Sequence, residues 1–208
     1  QVWVWHEAAY TRVFFPINGK RNDNGHGGDV VWIGNWGDDE RRAELQEFFI
    51  APVRLLGLRA RVYGVRYPDD ALQTLRRAGI RYKGWLPNYR APQVFSRFKV
   101  TLHVPRRPYS EALKGIPTIR PFEALSCGIP LICAPWDDSD GLFTPGEDYL
   151  VARDGSEMRA QLRNVIEDPG LAYSLARHGR ETILERHTCA HRVNELFDIY
   201  NSTGRVVQ

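Results

Sequence analysis

From residue 29 onward the chain alternates two kinds of segment, and this alternation restricts the fold more than any other feature. Short apolar runs at residues 30–34, 61–65, 81–86, 100–104, 130–134 and 149–151 are set off by turn and helix residues. Continuous hydrophobicity over such lengths marks strands buried on both faces. Between them, apolar residues recur at helical spacing: Leu45, Phe48, Phe49 and Leu56; Leu72 and Leu75; Val94, Phe95 and Phe98; Met158, Leu162, Val165 and Ile166. Strand–helix alternation of this kind predicts an α/β fold, a parallel sheet covered by helices on both faces. Residues 170–200 read as helical without further strands. One stripe runs through Leu171 and Leu175, another through Val193, Leu196, Phe197 and Tyr200, with a break near His187-Thr188. The last helix is expected to project beyond the sheet.

The totals fit one domain with attached arms. A 208-residue chain that is 43% hydrophobic and 25% charged has the composition of a globular domain with a substantial core. No apolar stretch approaches the ~20 residues of a membrane helix. The net charge of +3, with arginines in pairs (Arg41-Arg42, Arg76-Arg77, Arg106-Arg107), gives no basic stripe or motif for nucleic acid. It suits a small anionic ligand. Cys127, Cys133 and Cys189 lack metal-ligand spacing, so no metal is predicted, and a sparse, odd set points to reduced thiols and the cytoplasm. The sequence opens on Gln1 and its one methionine is Met158, so the natural N-terminus is expected upstream. Residues 1–28 read as an arm. Its Val2-Trp3-Val4-Trp5 stretch has strand character, and residues 18–28 form an exposed loop.

In an open parallel sheet, ligands bind outside the carboxyl ends of the strands, often at helix N-termini. Two strand ends qualify. Ile33-Gly34-Asn35-Trp36-Gly37 is a glycine turn, but it matches neither GxGxxG nor a P-loop, and Asp38, Asp39 and Glu40 follow it. Those acids complement a helix dipole themselves and repel a diphosphate. The turn reads equally as packing and as close backbone approach to a ligand, with Arg41 or Arg42 reaching in. The second end carries Pro105-Arg106-Arg107 and then the run from Gly115 to Pro130. There Pro121 suits the first helical turn and Gly128 the stop, predicting a short helix over residues 121–127. Its N-terminus, with Arg106, Arg107 and Arg120 nearby, favours a diphosphate. Glu123 falls in the first turn of this predicted helix. It reads either as a dipole-complementing acid or as a bidentate acceptor for ribose hydroxyls. Asp137-Asp138 reads as a pair of turn acids, and His103 as a packed histidine on the strand before the diphosphate loop.

Arg120-Pro-Phe-Glu-Ala-Leu-Ser-Cys-Gly-Ile-Pro-Leu-Ile resembles the "FEAxACGxPVV" run of GT-B glycosyltransferases of the group 1 type. Pro145-Gly-Glu-Asp-Tyr-Leu-Val is similar to the segment that follows it in that family. Val31-Trp-Ile-Gly-Asn is similar to the opening strand, and Tyr82-Lys-Gly-Trp-Leu-Pro to the "xxGxLP" base-pocket stretch. The resemblance spans residues 29–186 in order, and the spore-maturation-protein-like glycosyltransferases are the subgroup it points to. It implies a Rossmann-like domain that is the C-terminal, nucleotide-sugar-binding half of a two-domain enzyme. Residues 1–28 would then be a remnant of the N-terminal domain with its linker, and residues 187–208 a helix crossing back to that domain.

The implied donor-binding residues are Gly34 and Asn35; Gly84, Trp85 and Leu86 at the base; Thr118, Ile119 and Arg120 at the diphosphate; and Glu123 at the ribose, to which the charge reading above adds Arg106. The resemblance implies no cofactor beyond the nucleoside-diphosphate sugar substrate, and no catalytic residue is assigned. Many retaining members carry E-x7-E; here the first position is Gly115, and Glu111 is out of register, so the stereochemical outcome stays open. Two other readings remain at this point. One is a nucleotide-sugar epimerase on the same plan. The other is a non-catalytic nucleotide-binding or interaction domain whose partner surface is the last helix with the Trp3/Trp5 arm.

Overall fold

The computed structural model describes residues 2–17, 27–37, 40–113, 115 and 118–203. Among them, six strands form one sheet: β1 (Gly28–Ile33), β2 (Ala60–Tyr63), β3 (Arg81–Tyr82), β4 (Phe98–His103), β5 (Leu131–Cys133) and β6 (Leu150–Val151). The order is β3-β2-β1-β4-β5-β6, and every pairing is parallel. Each of the six apolar runs from residue 30 onward supplies a strand. β1 opens at Gly28, and β3 is shorter than residues 81–86, because Gly84 takes φ +73° and turns the chain out of the sheet.

The helices are α1 (Arg42–Leu45), α2 (Ala51–Leu55), α3 (Asp69–Arg77), α4 (Ala91–Phe95), α5 (Ile119–Ser126), α6 (Gly155–Glu167), α7 (Pro169–Arg186) and α8 (Cys189–Thr203). A π-helical turn, Gln46–Ile50, joins α1 to α2, so they run as one rod. Pro52 explains the wide turn: its ring has no N–H to give and would crowd the carbonyl four residues back in a regular helix. Phe98, grouped with a helix by its spacing from Val94 and Phe95, instead opens β4. A two-residue turn after α4, Ser96-Arg97, is enough to reverse the chain into the sheet.

Strand side chains alternate between two cores. Val30, Trp32, Val62, Val100, Leu102 and Ile132 meet the α1–α2 rod, α3 and α6 on one face. Val31, Ile33, Leu131 and Cys133 meet α4, α5 and Ile183 of α7 on the other. Burial on both faces is the physical reason the strands read as unbroken apolar runs. The break before α8 falls at His187-Thr188, as the sequence predicts.

The N-terminal arm is not a strand at residues 2–5; that stretch has no regular structure, and Val2, Trp3, Val4 and Trp5 are exposed. What anchors the arm comes later. Ala9 N–H donates to His187 O (2.8 Å), Cys189 N–H donates to Ala9 O (3.3 Å), and Ser126 Oγ donates to Phe14 O (2.5 Å). Trp5 Nε1 donates to Arg192 O (2.9 Å), and Arg192 Nε to Glu7 O (3.1 Å). The arm therefore seats on the α7–α8 junction. Val193, Leu196, Phe197 and Tyr200 lie exposed on α8. Among the described residues, no helix is long and apolar enough to cross a membrane.

Candidate functional site

The strand order reverses between β1 and β4. From β1 the chain winds outward through β2 and β3; from β4 it winds the other way through β5 and β6. The crevice at such a switch point, outside the carboxyl ends of the strands, is where an open α/β sheet offers backbone donors and helix N-termini to a ligand. Here it is bounded by the loop after Ile33, the loop after His103 and the start of α5.

Arg41 clips the first two together. Its Nη1 donates to Val104 O (3.1 Å), its Nη2 donates to Asn35 O, and its guanidinium lies 5.2 Å from the Trp32 ring centroid. It is 8% exposed. Burial first, and then the Arg106 charge, pull its pKa down to about 10, which still leaves it cationic at neutral pH. Arg41 is thus a structural brace rather than a residue reaching into the crevice, and Arg42 turns away to pair with Asp70 at 2.7 Å.

The glycine turn is explained by the protein's own packing. A Cβ at Gly34 would sit 2.8 Å from the Trp32 ring, and one at Gly37, where φ is +82°, 3.0 Å from Arg41 Nε. Tyr67 Oη donates to Gly34 O (2.8 Å), and Asn35 Oδ1 accepts from Val65 N–H (3.1 Å). Both oxygens of Asn35 therefore take bonds from within the domain. Asp38 and Asp39 lie outside the described residues. Glu40 pairs with Arg106 (3.7 Å) and Glu44 with Arg107 (2.9 Å), so acids of the first loop and helix face arginines of the second.

The start of α5 differs from the expectation. The helix begins at Ile119, with Thr118 as its N-cap residue, not at Pro121. Pro121 is the third helical residue, where its missing N–H is still no loss. Glu123 consequently falls past the first turn. It is 1% exposed and cannot act as the surface dipole acid that its spacing allowed. Instead it forms a buried ion pair with Arg120, while Asn88 Nδ2 donates to its Oε1 at 2.6 Å. Burial pushes the Glu123 carboxyl up and the Arg120 guanidinium down, and each charge opposes the other's shift. Arg120, placed at a diphosphate by resemblance, is turned onto Glu123.

Asn88 links this pair to the segment after β3. Gly84, Trp85 and Leu86 lead through Pro87 into a 3-10 turn, Asn88–Arg90, and so come to the Glu123 side of the crevice. Trp85 is 70% exposed, an aromatic face open to solvent, while Leu86 packs into the second core. A Cβ at Gly84 would meet nothing within 4 Å, so that glycine serves its positive φ and not a close approach. Asn88 was not legible from the sequence: an asparagine after Leu-Pro is ordinary turn chemistry, and its partner lies 35 residues away. Glu7 was missed in the same way. Burial, and next the Glu123 charge, raise its pKa, and the Ser126–Phe14 bond ties the same arm to α5. His6 Nε2 meets Asp140 Oδ2 at 2.8 Å, so the arm also touches the loop after β5.

His103, at the end of β4, is 4% exposed, with Nε2 3.1 Å from Thr118 Oγ1 and Nδ1 buried without a partner. Asp138 accepts from Leu142 N–H (3.0 Å) and Phe143 N–H (2.8 Å), a turn acid as read. Among the described residues, no group of three His, Cys, Asp or Glu side chains gathers to hold a metal.

This geometry has relatives. A family model described as glycosyl transferase-like matches residues 41–198. No curated protein sequence matches the chain. Among solved structures, sucrose-phosphate synthase from Thermosynechococcus elongatus superposes with a TM-score of 0.75 at 16% identity, over 96% of this chain and 52% of that one. The Anabaena protein HepE in complex with UDP-glucose gives 0.70 at 14% identity, over 96% and 57%. The C-terminal domain of a group 1 glycosyl transferase from Francisella tularensis gives 0.66 at 17% identity, over 87% and 99%. The chain thus spans about half of the first two proteins and nearly all of the third, an isolated domain. The fold is that of the Rossmann-like C-terminal half of GT-B enzymes.

Proposed function

Because the chain belongs to the glycosyl transferase-like family, whose model matches residues 41–198, we propose that it is the donor-binding half of a two-domain glycosyltransferase. It would take a nucleoside-diphosphate sugar at the β1/β4 switch point. The observation that carries this reading is Glu123 on α5: a carboxylate 1% exposed, held by Arg120 of the same helix and by Asn88 from the segment that presents Trp85. A carboxylate has about four lone-pair sites. Two are used by Asn88 and Arg120, which leaves capacity for both ribose hydroxyls. Trp85 offers a ring face to the base. That HepE is a UDP-glucose complex on the same fold supports a nucleotide sugar as the ligand.

Breaking the glycosidic bond leaves negative charge on the diphosphate, and preorganised positive groups lower that barrier. The N-terminus of α5 lacks a side-chain cap, and Arg106 lies on the neighbouring loop. A bound diphosphate would compete with Glu40 for Arg106 and with Glu123 for Arg120. An acceptor domain preceding the arm, with α8 crossing to it, completes the reading; the exposed Val193, Leu196, Phe197 and Tyr200 of α8 support that placement. The wording of residues 120–132 supports the spore-maturation-protein-like subgroup. The free thiols of Cys127, Cys133 and Cys189 support the cytoplasm as the compartment.

A thermal-shift series with UDP, GDP, dTDP and ADP tests the reading. Ligand at 100 times its dissociation constant adds ~2.7 kcal/mol, which for a chain of this size raises Tm by about 5–11 °C. No shift with any of the four would overturn it.

A further inference from the structure

Thr118 is an N-cap residue that does not cap. Its backbone is extended (φ −81°, ψ 167°), as an N-cap requires, yet its side chain makes no capping bond. By contrast, Asp154 accepts from Ser156 and Glu157 N–H at the start of α6, and Asp168 from Gly170 and Leu171 N–H at the start of α7. The sequence supplies the reason. A capping threonine bonds the N–H of the second or third helical residue; the third here is Pro121, which has none, and the N–H of the second, Arg120, receives no bond from the Thr118 side chain. The Thr118 hydroxyl lies instead 3.1 Å from Nε2 of His103.

His103 is buried, and the positive charges of Arg41 and Arg120 act on it. Burial first, and then the Arg41 and Arg120 charges, push its pKa down to about 3, so its imidazole is neutral at physiological pH. A neutral imidazole carries one N–H, and the two tautomers differ in what they leave unpaired. With the proton on Nδ1, a buried donor has no partner, and the Thr118 proton is spent on Nε2. With the proton on Nε2, that N–H donates to Thr118 Oγ1, and a bare lone pair remains on the partnerless Nδ1. An orphaned N–H is the rarer defect in protein interiors, and a lone pair is better suited than an N–H to the positive surroundings of Arg41 and Arg120. The Nε2–H form is therefore favoured, and it frees the Thr118 hydroxyl proton for a further acceptor.

We propose that His103 is a positioning residue: by donating from Nε2 to Thr118 Oγ1 it makes the Thr118 hydroxyl a donor to a phosphate oxygen of the nucleotide at the start of α5. This rests on the donor-site reading above. The hydroxyl would act beside the uncapped N–H groups of the first turn, where the helix dipole favours an anion.

The test uses the whole chain, with whichever of UDP, GDP, dTDP and ADP binds most tightly and with its parent nucleoside. Thr118→Val should weaken the diphosphate about tenfold, the lower end for a hydrogen bond to a charged group, and leave the nucleoside within twofold. His103→Leu should give the same loss, and the double variant no more than either single one. His103→Gln, whose amide can still donate, should restore affinity to within threefold. Imidazole 15N shifts of the wild type should report the Nε2–H tautomer. Thr118→Val touches no core position, so it keeps the test open if His103→Leu fails to fold. Unchanged affinity in Thr118→Val, additive losses in the double variant, or an Nδ1–H tautomer each overturn the proposal. A wild type that binds none of the four diphosphates overturns the donor-site reading itself, and this proposal with it.

Discussion

Glu123→Gln separates the two things its carboxylate does. From sequence spacing, the change should cost little stability, ~0.3–1 kcal/mol, as for an acid in a first helical turn. The structure revises that figure. Glu123 is 1% exposed, and its partner Arg120 has a side chain 18% exposed, so the pair is largely withdrawn from water. Removing one member of a buried pair strands the other charge, at roughly 3–5 kcal/mol. Gln keeps the shape and one acceptor oxygen, but it turns an N–H donor toward either Arg120 or Asn88, both of which donate to Glu123 here. A loss near the lower end, about 3 kcal/mol, follows, equivalent to a Tm drop of about 6–12 °C for a chain of this length. Urea unfolding gives the free energy and thermal unfolding the Tm, both followed by circular dichroism. A drop below 2 °C would show that the Arg120–Glu123 pair does not carry this energy and would refute the reasoning. Ligand selectivity is a second, independent readout. If the carboxylate also takes the ribose hydroxyls, the nucleoside diphosphate should weaken by a further ~1.5–3 kcal/mol, while pyrophosphate affinity holds or rises. An unchanged nucleotide-to-pyrophosphate ratio would leave Glu123 as a structural ion-pair residue only.

Other outcomes follow from single contacts. Gly64→Ala should severely destabilise the fold, because the added Cβ would sit 2.0 Å from Gly34 O; a soluble variant with wild-type Tm would show that the β1 and β2 ends are not locked together. Gly84→Ala meets no neighbour within 4 Å and should cost only the ~1–2 kcal/mol of a left-handed backbone, read by the same urea unfolding. His187 accepts from Arg192 Nη2 on Nδ1 and donates from Nε2 to Leu142 O, and burial first pulls its pKa down to about 4. Its folded pKa lies below the unfolded value near 6.5, so the unfolded chain binds the extra proton. The stability it contributes should be complete above pH 6.5 and fade as pH falls toward 4, and His187→Gln should flatten that part of a Tm–pH curve. If the chain is a donor-binding half, as proposed, it should bind its nucleotide alone yet transfer no sugar; turnover on an acceptor in a clean preparation would contradict this.

The sequence by itself determined the sheet. Six apolar runs, each too short and too continuous for anything but a doubly covered strand, specified a parallel α/β fold, and the break at His187-Thr188 specified the last two helices. It also placed α5 after β4, because proline, glycine and the intervening apolar residues are local signals that act through backbone geometry. Where local signals competed, it erred by a few residues. Phe98 kept helical spacing with Val94 but begins β4, and Pro121 satisfied the rule for a first helical residue although Thr118 opens the turn. Those two residues of offset moved Glu123 from an exposed first turn to a buried second one. Only the tertiary structure decided what faces it: Asn88 arrives from a segment 35 residues earlier, and the charge of Glu7, on the arm more than a hundred residues away, acts on it as well. The same holds for Arg41, which looked available for a ligand and is spent on Asn35 O and Val104 O. The physical reason is one of range. Strand and helix formation depend on patterns within ten or so residues, whereas the charge, burial and hydrogen bonding of a site depend on which distant segments the sheet order brings to the same strand ends.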